Sequence, residues 1–296
     1  LDNLAPRAGF AWDPTKKGRA KIYGNYGRFF QSIPMDINDR AFSGEGLLVG
    51  RGFAGDCPTR PHTPGGRPLV VPDSAAGLPC SLSQPRVAGS GVFAPVQPGL
   101  KGQYLDEFVA GGQYDVGWDI VVGAFYTYRT LGQAVEDLSV NGGETYFIAN
   151  PGAVADPAQV KQLEDDLAAA KKAAEANPNS KDLAEKAAQA ERRLEVTKAV
   201  ALFPPPKREY HAITFTINKR LSNRFSILAN YTYSRLTGNF PGPFNPYNNQ
   251  LDPNITTQYD IIDLLVNRDG PLNNDRPHNV KATGFYVQPV FGGKGS

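Results

Sequence analysis

The chain has 296 residues, enough for one large domain or two ordinary ones, and its 31 Gly, 25 Pro, 16 Phe and 13 Tyr suit strands joined by long loops. Its 31 Lys and Arg against 29 Asp and Glu leave a net charge of +2, which excludes the basic footprint of a nucleic-acid-binding protein. Mean hydropathy is −0.38 and no apolar run reaches about 18 residues, which excludes a transmembrane helix but not membrane-spanning strands, whose alternating side chains average out.

The chain opens at Leu1-Asp2-Asn3 with no charged or apolar leader and ends just after a predicted strand, so we read it as a piece of a longer protein. A first strand pair is predicted at 7–12 and 21–29, joined by the turn-rich Asp13-Pro14-Thr15-Lys16-Lys17-Gly18. A long Pro- and Gly-dense loop follows over 30–102 and carries both cysteines. A Cys57–Cys80 disulfide would close a loop of about two dozen residues and contribute roughly 3 kcal/mol by restricting the unfolded chain. We adopt it over two unrelated thiols, because so irregular a loop needs a staple and an extracytoplasmic site permits one.

A second pair is predicted at 103–116 and 119–129, turning at Gly117-Trp118. A second excursion then runs from about Leu131 to Pro206. Within it Asp156-Pro157 offers an N-cap with Pro at the first helical position. Val160, Leu163, Leu167, Ala170 and Ala174 follow heptad spacing. After Asn177-Pro178-Asn179-Ser180 the residues Leu183, Ala187, Ala190 and Leu194 repeat it. An antiparallel helical hairpin is predicted over 156–202, either a spacer stiffened by helix propensity or a docking site for a partner or substrate. Deleting 156–202 separates the two: a docking site predicts lost binding with intact barrel insertion. A third strand pair is predicted at 208–219 and 224–235, turning at Leu221-Ser222-Asn223. A loop over 236–278 leads to a last strand at 279–290.

Period-two alternation runs through these strands. Ile213, Phe215 and Ile217 face opposite to Thr214, Thr216 and Asn218. Phe225, Ile227, Ala229, Tyr231 and Tyr233 face opposite to Ser226, Asn230, Thr232 and Ser234. Val122, Ala124, Tyr126 and Tyr128 face opposite to Gly123, Thr127 and Arg129. Phe125 and Leu228 break the pattern by falling on polar faces.

Alternation also suits a soluble sandwich, and three features decide for a membrane barrel. Several strands run to about ten residues, the length a tilted strand needs to cross a bilayer. Tyrosines gather on the apolar face towards the long-loop ends, as interface girdles do. Short turns fall on one side and long loops on the other. The fold expected is all-β: about seven antiparallel transmembrane strands of a larger barrel, because an odd open sheet leaves edges that hydrocarbon does not tolerate. Tyr126, Tyr128, Phe215, Phe225, Tyr231 and Tyr233 would then face lipid or its interface. Arg7, Glu107, Arg129 and Arg208 would point into the lumen, to line a passage or meet a plug; in a soluble sandwich they would merely face water.

No catalytic or cofactor motif is present: no G-x-S-x-G, no H-E-x-x-H and no phosphate-cradling loop. His62, His211 and His278 have no second His or Cys at zinc-ligand spacing. Asp252, Asn254, Asp260 and Asp263 have calcium-ligand chemistry, but their spacing matches no EF-hand and turn formation explains them. We therefore expect no enzyme, cofactor or metal.

Particular strings carry a resemblance. The run 3–14 (NLAPRAGFAWDP) followed by 21–30 (KIYGNYGRFF) resembles the mid-barrel hairpin of TonB-dependent receptors. The strings 146–152 (YFIANPG), 207–210 (KREY), 231–236 (YTYSRL), 251–256 (LDPNIT) and 274–278 (NDRPH) resemble the Oar-like branch, from myxobacteria and relatives. The resemblance spans nearly the whole chain except the helical hairpin and parts of the cysteine loop. It implies a bacterial outer-membrane barrel of about twenty-two strands, occluded by an N-terminal plug and energised by the TonB complex. An Oar-like receptor commonly also carries a carboxypeptidase-regulatory-like domain before the plug. The transported substrate is left open, as is import against export. The alternatives from the residues alone are a passive barrel or surface adhesin, and a secreted soluble β-domain that binds glycans. Only the last predicts recovery without detergent.

Overall fold

In a computed structural model of the protein, the described residues are 3–32, 94–140, 142, 146–242, 244–245, 250–251 and 255–288, with Met35, Ile37, Ala41 and the two-residue strands Leu48–Val49 and Arg86–Val87. Packing divides the chain into two units, Leu1–Ile37 with Pro95–Ser296, and Asn38–Ala94. In the second unit, Leu48–Val49 and Arg86–Val87 pair antiparallel. Cys57, Cys80 and His62 lie outside the described residues, as do Asp252, Asn254 and Val290.

The first unit is built on an antiparallel meander. Its long strands are β1 (Arg7–Trp12), β2 (Ala20–Phe30), β3 (Tyr104–Gly117), β4 (Ile120–Gln133), β7 (Arg208–Ser222), β8 (Phe225–Gly238) and β10 (His278–Tyr286). Each pairs with the next in that order, and the two-residue β9 (Gly270–Pro271) also pairs with β8 beside Thr237 and Gly238. These are the seven predicted strands, in chain order. The four central ones run to 14 or 15 residues; β3 has the predicted length shifted by one residue, and β4, β7 and β8 are longer than the sequence pattern showed. Their extra residues lie mostly at the long-loop ends, where polar composition hides the alternation.

The short turns explain themselves. Asp13 accepts bonds from the Thr15 and Gly18 backbone N–H groups at 2.9 and 2.6 Å and from the Thr15 hydroxyl at 2.6 Å, closing the β1–β2 turn. The β3–β4 and β7–β8 loops are two residues each, Trp118-Asp119 and Asn223-Arg224, and all four have positive φ. That geometry is the type I′ hairpin, whose twist matches the strands it joins. The first of these turns sits one residue later than predicted, because Trp is a poor sequence signal for a left-handed position.

The buried apolar cluster lies in the loops, not in the sheet. Beyond the end of β4 the chain forms a small hairpin, β5 (Glu136–Leu138) with β6 (Phe147–Ala149). Leu138, Phe147, Val200, Phe203, Phe240 and Tyr259 pack there, drawn from two separate connections, β4 to β7 and β8 to β10. The helices α1 (Pro157–Ala176) and α2 (Lys181–Ala199) occupy the predicted hairpin. Asp156 caps α1 through the Ala158 N–H at 2.9 Å, and Ser180 caps α2 through the Leu183 N–H at 3.4 Å. Every predicted heptad position is partly or fully covered. Lys171–Glu191 and Lys198–Glu164 ion pairs join the helices at 2.7 and 2.6 Å. The foot of α2 enters the loop core through Val196 and Val200, so the hairpin is rooted in that core.

Candidate functional site

The sheet presents two chemically different faces. On one, Ile213, Phe215 and Ile217 are 43%, 52% and 48% exposed, while their neighbours on the other, Ala212 and Thr214, are 4% and 8% exposed. Leaving large apolar side chains outward while small and polar ones are covered inverts the order of a water-soluble sheet. The strand register carries the apolar face across the meander. One row runs Trp12, Ile22, Gly112, Ala124, Phe215, Tyr231, Val280. The next row towards the long loops runs Phe10, Gly24, Ala110, Tyr126, Ile213, Tyr233, His278. All six sequence-predicted aromatics share this face: Tyr126, Tyr128, Phe215, Phe225, Tyr231 and Tyr233. At the short-turn end Trp12 and Trp118 are also exposed, the latter 84%.

The polar face gathers the predicted charges. Arg7 lies opposite Gly27, Gly27 opposite Glu107, Glu107 opposite Arg129, and Arg129 opposite Tyr210, so three of the four fall in one row. Arg129 pairs with Glu107 and lies 5.8 Å from the Tyr210 ring centre. Arg7 sits 4.6 Å over the Phe29 ring. Gly27 leaves room for both: a Cβ there would come within 2.9 Å of the Phe29 ring and 3.5 Å of Arg7. Arg208 shares the parity of this face, but its guanidinium donates to the carbonyls of Phe240 and Pro241. It ties down a loop rather than facing open space. The two residues that broke the alternation, Phe125 and Leu228, both point to this polar face, opposite Gly111 and Asn218 respectively.

Two arrangements escaped the sequence reading. The first is a repeated tyrosine–histidine unit at the long-loop end of the apolar face. His211 lies opposite Tyr128 with rings 4.8 Å apart, and its Nδ1 is 2.7 Å from the Tyr126 hydroxyl. His278 lies opposite Tyr233 with rings 5.3 Å apart, and its Nδ1 is 2.9 Å from the Tyr231 hydroxyl. The Tyr-x-Tyr spacing was visible at 126–128 and 231–233, but the histidine that each would meet depends on register.

The second is a buried acid in the loop core. Glu136 is fully covered, and its carboxylate oxygens accept bonds from the Thr256 N–H at 2.9 Å and hydroxyl at 2.7 Å. Burial pushes its pKa well above the ordinary value, and nearby Asp137 and Asp260 add to the rise. Asn150, also covered, links Lys101, Ala134 and Gln97 through four bonds of 2.7–2.9 Å. Of the acids considered for calcium, Asp260 borders this core and Asp263 lies in the helical turn Ile262–Leu265.

Comparison with known proteins follows the same lines. A family model described as outer membrane beta barrel domain matches residues 1–296. The chain is 32% identical over 295 residues to the TonB-dependent transporter Oar of Myxococcus xanthus, covering 95% of this chain and 23% of that protein. It thus spans about a quarter of that relative's length, and the resemblance to the Oar-like branch holds at the level of the whole chain. The outer membrane transporter YddB from Escherichia coli is 13% identical with a TM-score of 0.42, covering 95% of this chain and 26% of that one.

Proposed function

We propose that this chain, which belongs to the outer membrane beta barrel domain family, forms part of the barrel wall of a TonB-dependent transporter. The protein is an antiparallel β-barrel protein of the bacterial outer membrane. Its apolar face contacts lipid, its polar face lines the lumen, and its loop layer faces the cell exterior. The observation that carries this reading is the inverted sheet: an exposed apolar face with aromatic rows at its long-loop end and Trp12 and Trp118 at the other, on four central strands that exceed the 9–11 residues needed to cross a bilayer. The open edges at β1 and β10 would be satisfied by further strands of the same barrel.

In this reading the Glu107–Arg129 pair and Arg7 form a polar belt that cargo passes or a plug touches. The loop core holds the outer loops in fixed positions to receive the cargo. Similarity to the Myxococcus relative, a TonB-dependent transporter, favours energy-coupled transport over a passive barrel or adhesin. A pull-down of the full-length receptor with the periplasmic domain of TonB tests the coupling. Retention is expected; a folded, detergent-extracted receptor that TonB does not retain would leave the passive barrel.

A further inference from the structure

At its long-loop end the apolar face carries a cation that makes no ion pair among the described residues. Arg28, at the β2–β3 end of this face, is held by Asp106 through two bonds of 2.8 and 2.9 Å. Arg235 lies on the same face, opposite His211, and makes no ion pair among the described residues. Two carboxylates border it: Asp275, whose Oδ1 accepts from the Leu236 N–H at 2.8 Å, and Glu209, opposite Thr237 and Thr130 one row further out; neither makes an ion pair among the described residues. Arg276 lies just before β10, where the Ser234 N–H donates to the Pro277 carbonyl at 2.9 Å, and it is exposed with no ion partner among the described residues. An unpaired guanidinium just outside an aromatic row sits where a bilayer places its headgroups.

The tyrosine–histidine units complete the chemistry. Each histidine is clamped by a ring opposite and a hydroxyl at Nδ1, so its Nε2 is the free edge. In the tautomer that accepts the tyrosine hydroxyl proton at Nδ1, Nε2 carries its own proton and is a donor; in the other, Nδ1 donates to the tyrosine oxygen and Nε2 accepts. His211 adjoins Arg235 directly and His278 lies on the next strand, one row in. Arg235 stands opposite His211 in the register, and a guanidinium with an imidazole N–H beside it matches a tetrahedral oxyanion.

We propose that Arg235, flanked by His211 and His278 and supported by Arg276, binds the phosphate of an outer-leaflet lipid headgroup. The proposal rests on the assignment of this face to lipid. It goes beyond it by naming a specific lipid contact that a generic barrel wall does not need.

The test uses the full-length receptor in detergent micelles, titrated with diphosphoryl lipid A and, separately, with its fully dephosphorylated form. We expect the phosphorylated lipid to bind about tenfold tighter, Arg235→Gln to erase the preference, and Arg235→Lys to keep most of it. Heat-modifiable migration on gels verifies that each variant is folded. A preference unchanged in Arg235→Gln overturns the proposal, as does inorganic phosphate at equal concentration displacing the lipid, which would make this a free-anion site. A lipid-soluble photoreactive probe separates this failure from failure of the wider reading. Labelling of the Phe215 region without any phosphate preference sinks only the headgroup site, whereas no labelling sinks the lipid-facing assignment itself.

Discussion

Phe125 and Gly111 face each other across the β3–β4 ladder so closely that a Cβ on Gly111 would lie 2.5 Å from the Phe125 Cβ and 2.7 Å from the Ala124 carbonyl oxygen. The polar face tolerates a large ring at Phe125 because its partner has no side chain. Gly112, one residue on, has only the Lys21 carbonyl near its missing Cβ, at 3.5 Å. Gly111→Ala should therefore destabilise the barrel by about 1–3 kcal/mol, through a clash with backbone that cannot move aside. Gly112→Ala should be close to neutral. Urea unfolding of the two variants checks the contrast, and equal stabilities would remove the argument.

Glu136 makes the loop layer pH-sensitive. Its carboxyl titrates near 4.5 when unfolded and well above that when folded. The stability tied to its protonated form is thus fully present below about pH 4.5 and is lost as pH rises from there towards the folded value. Amide protection at 136–139, measured relative to the intrinsic exchange rate at each pH, should be greater at pH 5 than at pH 8, and Glu136→Gln should flatten the difference. Glu136→Ala should cost about 1–3 kcal/mol at either pH, because it leaves the buried Thr256 N–H without its acceptor.

The helical hairpin should be sensitive at its foot and tolerant along its shaft. Val200 is fully buried in the loop core, so Val200→Ala should cost about 1–3 kcal/mol locally and speed proteolysis between Asp156 and Leu202. Lys171→Gln removes one exposed ion pair and should leave the cleavage rate within error. Faster cleavage in Lys171→Gln than in Val200→Ala would contradict a rooted hairpin.

Phe215 and Thr216 are sequence neighbours on opposite faces. On the proposed orientation Phe215→Arg places a charge in lipid, at about 2–4 kcal/mol near the bilayer midplane, while Thr216→Arg faces the lumen and costs little. Folding into vesicles, followed by heat-modifiable migration, reads both. Equal penalties, or a larger one for Thr216→Arg, would reverse the assignment of the two faces.

Much of this was legible in the sequence because it is local. Alternation at 213–218 and 225–234 assigns each side chain to a face, and Asp156-Pro157 and Ser180 mark the helix starts. Arg208 shows the limit. Its parity agrees with Arg129, yet it is engaged by the 240–241 carbonyls, because a long side chain at a strand end reaches whatever the next loop offers. The β3–β4 turn was displaced because Trp118 adopts positive φ against its residue preference.

The sequence by itself determined which residues share a strand face and where the helices begin, since backbone pleat and capping act over a few residues. Only the tertiary structure decided which strands' residues stand in one row. It placed Arg7, Glu107 and Arg129 beside one another, and set His211 against Tyr126 and Tyr128. It also brought Glu136 to Thr256 across 120 residues of chain. Register belongs to the hydrogen-bond ladder, where a one-residue slip exchanges the faces, and long-range closure leaves no mark on either segment alone.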